Sequence, residues 1–284
     1  MDVRWLPGFL MVTLTLTGCD GTRPASPVGP SGEPPIVSPA RPSISGSVYD
    51  TAFRPLPDTT IEAIEGPGAG ASMTTSTGQF VLFGVFDATT RFRASHPGYR
   101  SETITPRGDG TRLSLYFVLE SDAPQLDAAG RFLLQMSADP TCVGLPDVAT
   151  SHTLPVVVTR DASKRWQYFV DAPSVTLLHG YAWEGWAIGV AGDVMSIGGG
   201  NLHGDPGLIE QVGPDAYLGF DGWAEGTGSV TGGPLLDTAF QGHIEYCGLP
   251  ADSPVPIVDG RYQCPAQARV RCYSTSHHLT LTRQ

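Results

Sequence analysis

Leu113-Ser114-Leu115-Tyr116-Phe117-Val118-Leu119 decides the fold class. Leu113, Leu115, Phe117 and Leu119 recur at every second position, the period of a strand that lays one face on a core. Working outward, the same short alternation returns, stopped each time by turn residues. Upstream, 44–50 alternates, Arg54-Pro55-Leu56-Pro57-Asp58 turns the chain, and 60–64 forms the next strand. Ser76-Thr77-Gly78-Gln79 turns into Phe80-Val81-Leu82-Phe83, and strands over 91–94 and 100–105 flank Pro97-Gly98-Tyr99. Downstream, Gly130-Arg131-Phe132-Leu133-Leu134-Gln135-Met136 opens a second series. It runs through 154–159, 165–170, 174–178, 185–190, 194–197, 208–212, 216–220, 239–246, 269–273 and 278–281.

Composition agrees with this pattern. The chain holds 35 Gly and 25 Pro in 284 residues, both poor in helix interiors, and no stretch carries a helical period. Its 40% hydrophobic content is enough to fill packed cores. The expected fold is therefore all-β. A first unit of short strands spans 43–120, and a larger antiparallel β-barrel or β-sandwich of about ten to twelve strands spans 127–284. Gly198-Gly199-Gly200 and Gly232-Gly233-Pro234 supply bends for the second part.

The amino end carries an address. Residues 5–17 are apolar and follow Arg4, whose charge Asp2 offsets. The run is shorter than the ~20 residues a membrane-spanning helix needs, and it suits a signal peptide. Leu16-Thr17-Gly18-Cys19 closes the run and resembles the lipobox of bacterial lipoproteins. The resemblance implies a signal peptide over 1–18, cleavage before Cys19, and acylation of Cys19. A plain secretory signal or an uncleaved anchor, with Cys19 incidental, are the other readings of the same residues. Asp20 bears on whether the inner or the outer membrane holds the chain, and leaves that choice open. Residues 19–42 continue as a linker of Pro, Ser, Gly and Ala that cannot build a core. At ~3.1 Å per residue this spacer reaches roughly 70 Å when extended.

With Cys19 set aside for lipid, Cys142, Cys247, Cys264 and Cys272 remain. An even number in an exported chain points to two disulfides, with three pairings open. No C-x-x-C pair supports a structural zinc site. The formal charge of −11 argues against nucleic acid and against anionic lipid surfaces as partners.

Two further resemblances follow from quoted residues. Gly46-x-Val48-x-Asp50, Pro55-Leu56, Thr77-x-x-Phe80 around Gly78, and Gly98-Tyr99 resemble the carboxypeptidase regulatory-like domain, a transthyretin-like β-sandwich. That family carries an aspartate where Ser76-Thr77 stands, and Gly-Ala where Asp58-Thr59 stands. The resemblance covers about 75 residues and implies a non-catalytic domain in which Tyr99 is a packed aromatic. Gly130-x-Phe132, Cys142 with Leu145-Pro146, and Cys272 with His277 resemble an uncharacterised β-barrel-like module of secreted bacterial lipoproteins. The closing Cys-to-His spacing is one residue longer here. This second resemblance implies a staple from Cys142 to Cys272, which leaves Cys247 with Cys264. On the chain-entropy picture the longer loop is worth about 4–5 kcal/mol.

Catalytic patterns are not found. The chain has no G-x-S-x-G, H-E-x-x-H, P-loop or G-x-G-x-x-G. His243-Ile244-Glu245 lacks the P-C-x-x-C partner of zinc deaminases, and in a strand its two polar residues share a face. His277 and His278 are adjacent, so in a strand they point to opposite faces. His179, His203 and His243 are scattered, and no metal or cofactor is expected. Glu184, Asp193, Asp205, Glu210, Asp221 and Glu225 are numerous enough that some pair could mimic a glycosidase dyad by chance. Tyr181, Trp183, Trp186 and Trp223, with Trp166, are the side chains best suited to a ligand. They either stack on a sugar or line an apolar cavity, or else simply fill a core. The expected function is a non-catalytic, lipid-anchored envelope protein that presents a binding or scaffold surface for a carbohydrate, a protein or a small ligand. The alternatives are a carrier of hydrophobic ligands inside the second domain and an envelope hydrolase with an unrecognised site there. The experiment that separates them is a structure: a hydrolase needs a polar cleft of convergent titratable groups.

Overall fold

The structure, a computed structural model, describes residues 43–106, 114–173, 186–199, 206–229, 233–258 and 261–284. Its amino-terminal part builds β1 (Ser43–Asp50), β2 (Thr60–Glu65), β3 (Ser72–Thr74), β4 (Gln79–Phe83), β5 (Arg91–Ser95), β6 (Glu102–Ile104) and β7 (Ser114–Leu119). These strands pair as two sheets, β4-β1-β7 and β3-β2-β5-β6. Only β1 and β7 run parallel. Leu115, Phe117 and Leu119 point between the sheets and are buried with Ile44, Val48, Phe80 and Phe92. Each such side chain stabilises the fold by about 1.5–3 kcal/mol relative to exposure. Leu113 lies outside the described residues. The short β3 is polar, Ser72-Met73-Thr74, and carries no alternation by which the sequence could announce it.

The carboxy-terminal part is an all-antiparallel barrel. It comprises β8 (Gly130–Ser137), the one-turn α1 (Asp147–Thr150), β9 (Ser151–Arg160), β10 (Gln167–Asp171), β11 (Ala187–Ala191) and β12 (Val194–Gly199). It continues through β13 (Leu208–Gly213), β14 (Ala216–Thr227), β15 (Leu236–Gly248), the hairpin β16 (Ile257–Val258) and β17 (Arg261–Tyr262), and β18 (Arg269–Arg283). The sheet order is β12-β11-β10-β9-β8-β18-β15-β14-β13, and β12 pairs again with β14. That last pairing closes a ring of eight strands, with β13 outside it on the first half of β14. The choice between barrel and sandwich thus falls to the barrel. Phe132, Tyr168, Trp186, Phe220 and Phe240 fill its interior, each fully buried.

Two expected strands, 269–273 and 278–281, are one strand, β18. Its pairing with β15 shifts register between Phe240 and Gly242, so a bulge interrupts the alternation that the sequence pattern relies on. β14 also runs seven residues further than 216–220, to Thr227. Its extension passes through Gly222, at φ 149°, where a Cβ would stand 2.2 Å from the Gln241 carbonyl oxygen. Glycine there reads as a turn in the sequence, yet it serves close strand approach where β14 changes partner from β13 to β12.

Both disulfides lie in the barrel. Cys142–Cys272 spans 130 residues of sequence and pins the loop after β8 to β18. Cys247–Cys264 ties the end of β15 to the segment after β17. Sandwich and barrel belong to one compact unit, Arg41–Gln284. The turn after β1 joins them. Thr51 Oγ1 donates to the Val190 carbonyl (2.6 Å), and Ser196 Oγ donates to the Ala52 carbonyl (2.6 Å), both buried.

Candidate functional site

Asp50 organises the joint. Fully buried at the end of β1, its carboxylate accepts the backbone N–H groups of Ala52 (2.8 Å) and Arg54 (3.0 Å) and the Arg54 Nε–H (2.8 Å). Tyr99 packs partly into the sandwich core, and its hydroxyl donates to the same carboxylate at 3.5 Å. The turn so fixed holds Phe53 at φ 60°, a left-handed conformation that costs about 1–3 kcal/mol outside glycine. The strain is offset where the ring lands. Phe53 meets Trp166 and Trp223 edge-on, each with ring centroids 5.7 Å away. Gly189 of β11 lies beneath, where a Cβ would approach the Thr51 carbonyl oxygen to 2.5 Å.

Beside this joint opens a cleft of about 670 Å³. Phe53, Lys164, Trp166 and Gln167 form one wall, and Arg100, Glu102, Tyr116 and Glu120 belong to the other. Tyr116 is 56% exposed and packs its ring on Tyr49 at 5.2 Å. Lys164 Nζ sits 5.4 Å from the Trp166 ring centroid, within cation–π range. Glu120 pairs with Arg165 and, at 3.6 Å, with Arg100, which also approaches Asp122 at 3.8 Å. The pairing with Glu120 raises the Arg165 guanidinium above its ordinary range.

Glu102 is the most informative polar group. Burial raises its carboxyl above the usual range, against the lowering effect of the Val118 N–H. That N–H donates to Glu102 Oε2 at 2.8 Å, so the edge of β7 away from β1 faces the cleft. Backbone groups alternate along a strand, so those of Ser114 and Tyr116 point the same way. The lining therefore combines aromatic surface, charged donors, an amide and a strand edge.

The residues singled out in the sequence do not converge. Trp186 is 1% exposed, stacks on Phe240 and donates to the Phe220 carbonyl at 3.4 Å, so it is core. Trp223 stands on the outer barrel wall against Phe53. Tyr181 and Trp183 lie outside the described residues, as do Cys19, His179, His203, Glu184 and Asp205. His277 is fully buried in the barrel while His278 is exposed and pairs with Asp237 at 2.7 Å, the opposite-face arrangement expected of neighbours in a strand. His243 and Glu245 do share a face. There Arg271 approaches both Asp221 and Glu245 at 3.7 Å, and Asp221 approaches His243 at 3.5 Å. Burial and Arg271 lower the His243 imidazole, and burial followed by Glu245 pushes the Tyr262 hydroxyl well up. These charges lie under the hairpin that Cys247–Cys264 secures. Each carboxylate faces a guanidinium, an arrangement suited to holding that hairpin down. Glu210, another of the scattered acids, is tied to His152 at 2.5 Å. Among the described residues no group of His, Cys, Asp and Glu could hold a metal ion.

Sequence reasoning passed over Phe53, Tyr116 and Glu102. One signal was present: Tyr116 and Val118 occupy the outward phase of the strand whose inward phase defined the fold. No protein-family model matches the chain, and no curated protein matches it.

Proposed function

We propose that this chain is a lipid-anchored protein of the bacterial envelope that binds a carbohydrate without transforming it. Its amino-terminal part is read as a carboxypeptidase regulatory-like sandwich, and its site is the cleft beside Phe53. The observation that carries the reading is the pairing of Tyr116 and Trp166 with Arg100, Glu102 and Gln167 around one open volume of about 670 Å³. Aromatic faces suit the C–H surfaces of sugars, and the polar groups suit their hydroxyls. Glu102 and Glu120 are engaged by protein donors, an arrangement for positioning rather than proton transfer. Carriage of an apolar ligand inside the barrel has less support, since aromatic side chains occupy the described interior.

The test is a glycan array probed with the full-length protein in detergent, followed by titration of the best glycan into Trp166→Ala. The variant should weaken binding about tenfold, the loss of one stacking aromatic. Silence across the array, or unchanged affinity in Trp166→Ala, rejects the cleft. For the anchor, Cys19→Ala should move the mature chain out of the membrane fraction. Continued pelleting after a high-salt wash would reject lipidation at Cys19.

A further inference from the structure

The two outer faces of the sandwich differ in a way that the cleft alone does not explain. On the sheet β3-β2-β5-β6 two cross-strand ion pairs stand among threonines and serines on the outward face: Arg91 with Glu65 at 2.8 Å, and Arg93 with Glu62 at 2.6 Å. That is an ordinary solvated face. On the sheet β4-β1-β7 no outward residue is Asp, Glu, Lys, Arg or His, although the chain carries a net charge of −11. Its outward positions along β1 are Ser43, Ser45, Ser47 and Tyr49. Large apolar side chains stand on either side of this hydroxyl row: Phe83 is 58% exposed and Val81 47% on β4, and Tyr116 56% on β7.

The face is continuous with the cleft. Tyr116 belongs to both, and Ser114 and Tyr116 also line a second groove of about 710 Å³ along the same free edge of β7. Pairing registers fix the scale. Phe83 lies opposite Ser43, and Tyr116 lies opposite Ser47. Two strand spacings of ~4.8 Å and four residues of ~3.3 Å separate Phe83 from Tyr116 by roughly 16 Å. A monosaccharide in the cleft does not reach that far, and a chain of sugars does.

We propose that the ligand is an uncharged polysaccharide, held at one point in the cleft and laid from Tyr116 across the serine row towards Phe83. This rests on the carbohydrate reading of the cleft and adds the ligand's length and neutrality to it. Charge complementarity carries the choice. A face stripped of charges gives an anionic or cationic polymer nothing to pair with, while hydroxyls and aromatic surface match neutral sugar rings.

The test measures binding of the full-length protein to mixed-linkage β-glucan, galactomannan and dextran, with polygalacturonate as the charged counterpart. An oligosaccharide of two or three sugars cut from the best polymer is titrated alongside. Phe83→Ser and Ser45→Glu alter the face at exposed positions, and Trp166→Ala alters the cleft. The expected result is binding to a neutral polymer that falls at least about tenfold in both face variants. Their affinity for the short oligosaccharide should change less than about twofold, while Trp166→Ala weakens both ligands. Unchanged polymer binding in Phe83→Ser and Ser45→Glu, with loss in Trp166→Ala, sinks the face and leaves the cleft reading standing. Equal or tighter binding of polygalacturonate sinks the claim of neutrality. No binding to any of the three neutral polymers overturns the proposal, and silence with the short oligosaccharide as well removes the cleft reading too. A dimer by light scattering that becomes monomer in Phe83→Ser shows that a second copy covers the face, and also overturns it.

Discussion

The barrel and the sandwich treat their strand edges in opposite ways. In the barrel, β12 returns to β14 and closes the ring, so each of its eight strands is paired on both sides. Two disulfides and a filled aromatic interior reinforce the closure. The sandwich has sheets of three and four strands, and β7 turns an edge into the cleft with Glu102 as its partner at Val118. Both bridges fall outside it. The difference teaches that one cleft is lined from two kinds of body: the closed barrel side supplies Trp166, and the open sandwich supplies Tyr116 and an edge of β7.

Three experiments break or sharpen that contrast. The largest effect is expected from opening the long bridge. Cys142→Ser with Cys272→Ser should cost about 4–5 kcal/mol, against about 3 kcal/mol for Cys247→Ser with Cys264→Ser, because the closed loops differ so much in length. Urea unfolding of the two double variants measures this. Equal losses would mean that loop closure is not what the long bridge contributes. Next comes the joint itself. Phe53→Ala removes a half-buried ring and keeps the Cβ that makes φ 60° costly, so a loss of about 2 kcal/mol is expected. Tryptophan fluorescence should shift to the red as Trp166 and Trp223 become wetter, and an unshifted spectrum would show that the wall does not depend on the knob.

The smallest effect concerns Glu102, whose carboxyl burial raises above its ordinary value of 4.5. The folded chain therefore holds that proton more tightly than the unfolded chain. Glu102 favours folding most below pH 4.5, and this contribution is lost as pH rises through its elevated value. Glu102→Gln keeps an acceptor for the Val118 N–H and removes the titration. Relative to wild type the variant should gain stability as pH rises from 4 to 7, by the smallest margin of the three experiments because the group is partly solvent-screened. Thermal unfolding at the two pH values reads the difference, and a constant offset would remove Glu102 from the pH response.

Much of the architecture could be read from side-chain periodicity. The strands around Leu115, Phe117 and Leu119, and around Phe132, Leu134 and Met136, announce themselves because one face of each is buried. Reading failed where a glycine or a bulge broke the period, as at Gly222 in β14 and at the β15–β18 register shift. The site was less legible. Trp186 and Trp223 look alike in the sequence, yet one is core and the other lies against Phe53. Asp50 stood out in a motif, but its task of holding a strained turn depends on partners up to 49 residues away.

What the sequence by itself determined is the all-β class and the even set of four cysteines beside Cys19. These are local properties, because alternation, turn chemistry and composition act over a few residues. Tertiary structure alone decided that the second part closes as a barrel and that Phe53, Trp166 and Tyr116 surround one cleft. Those outcomes depend on which strand edges and surfaces meet, and residues such as Phe53 and Trp223 come together only after the chain between them has folded.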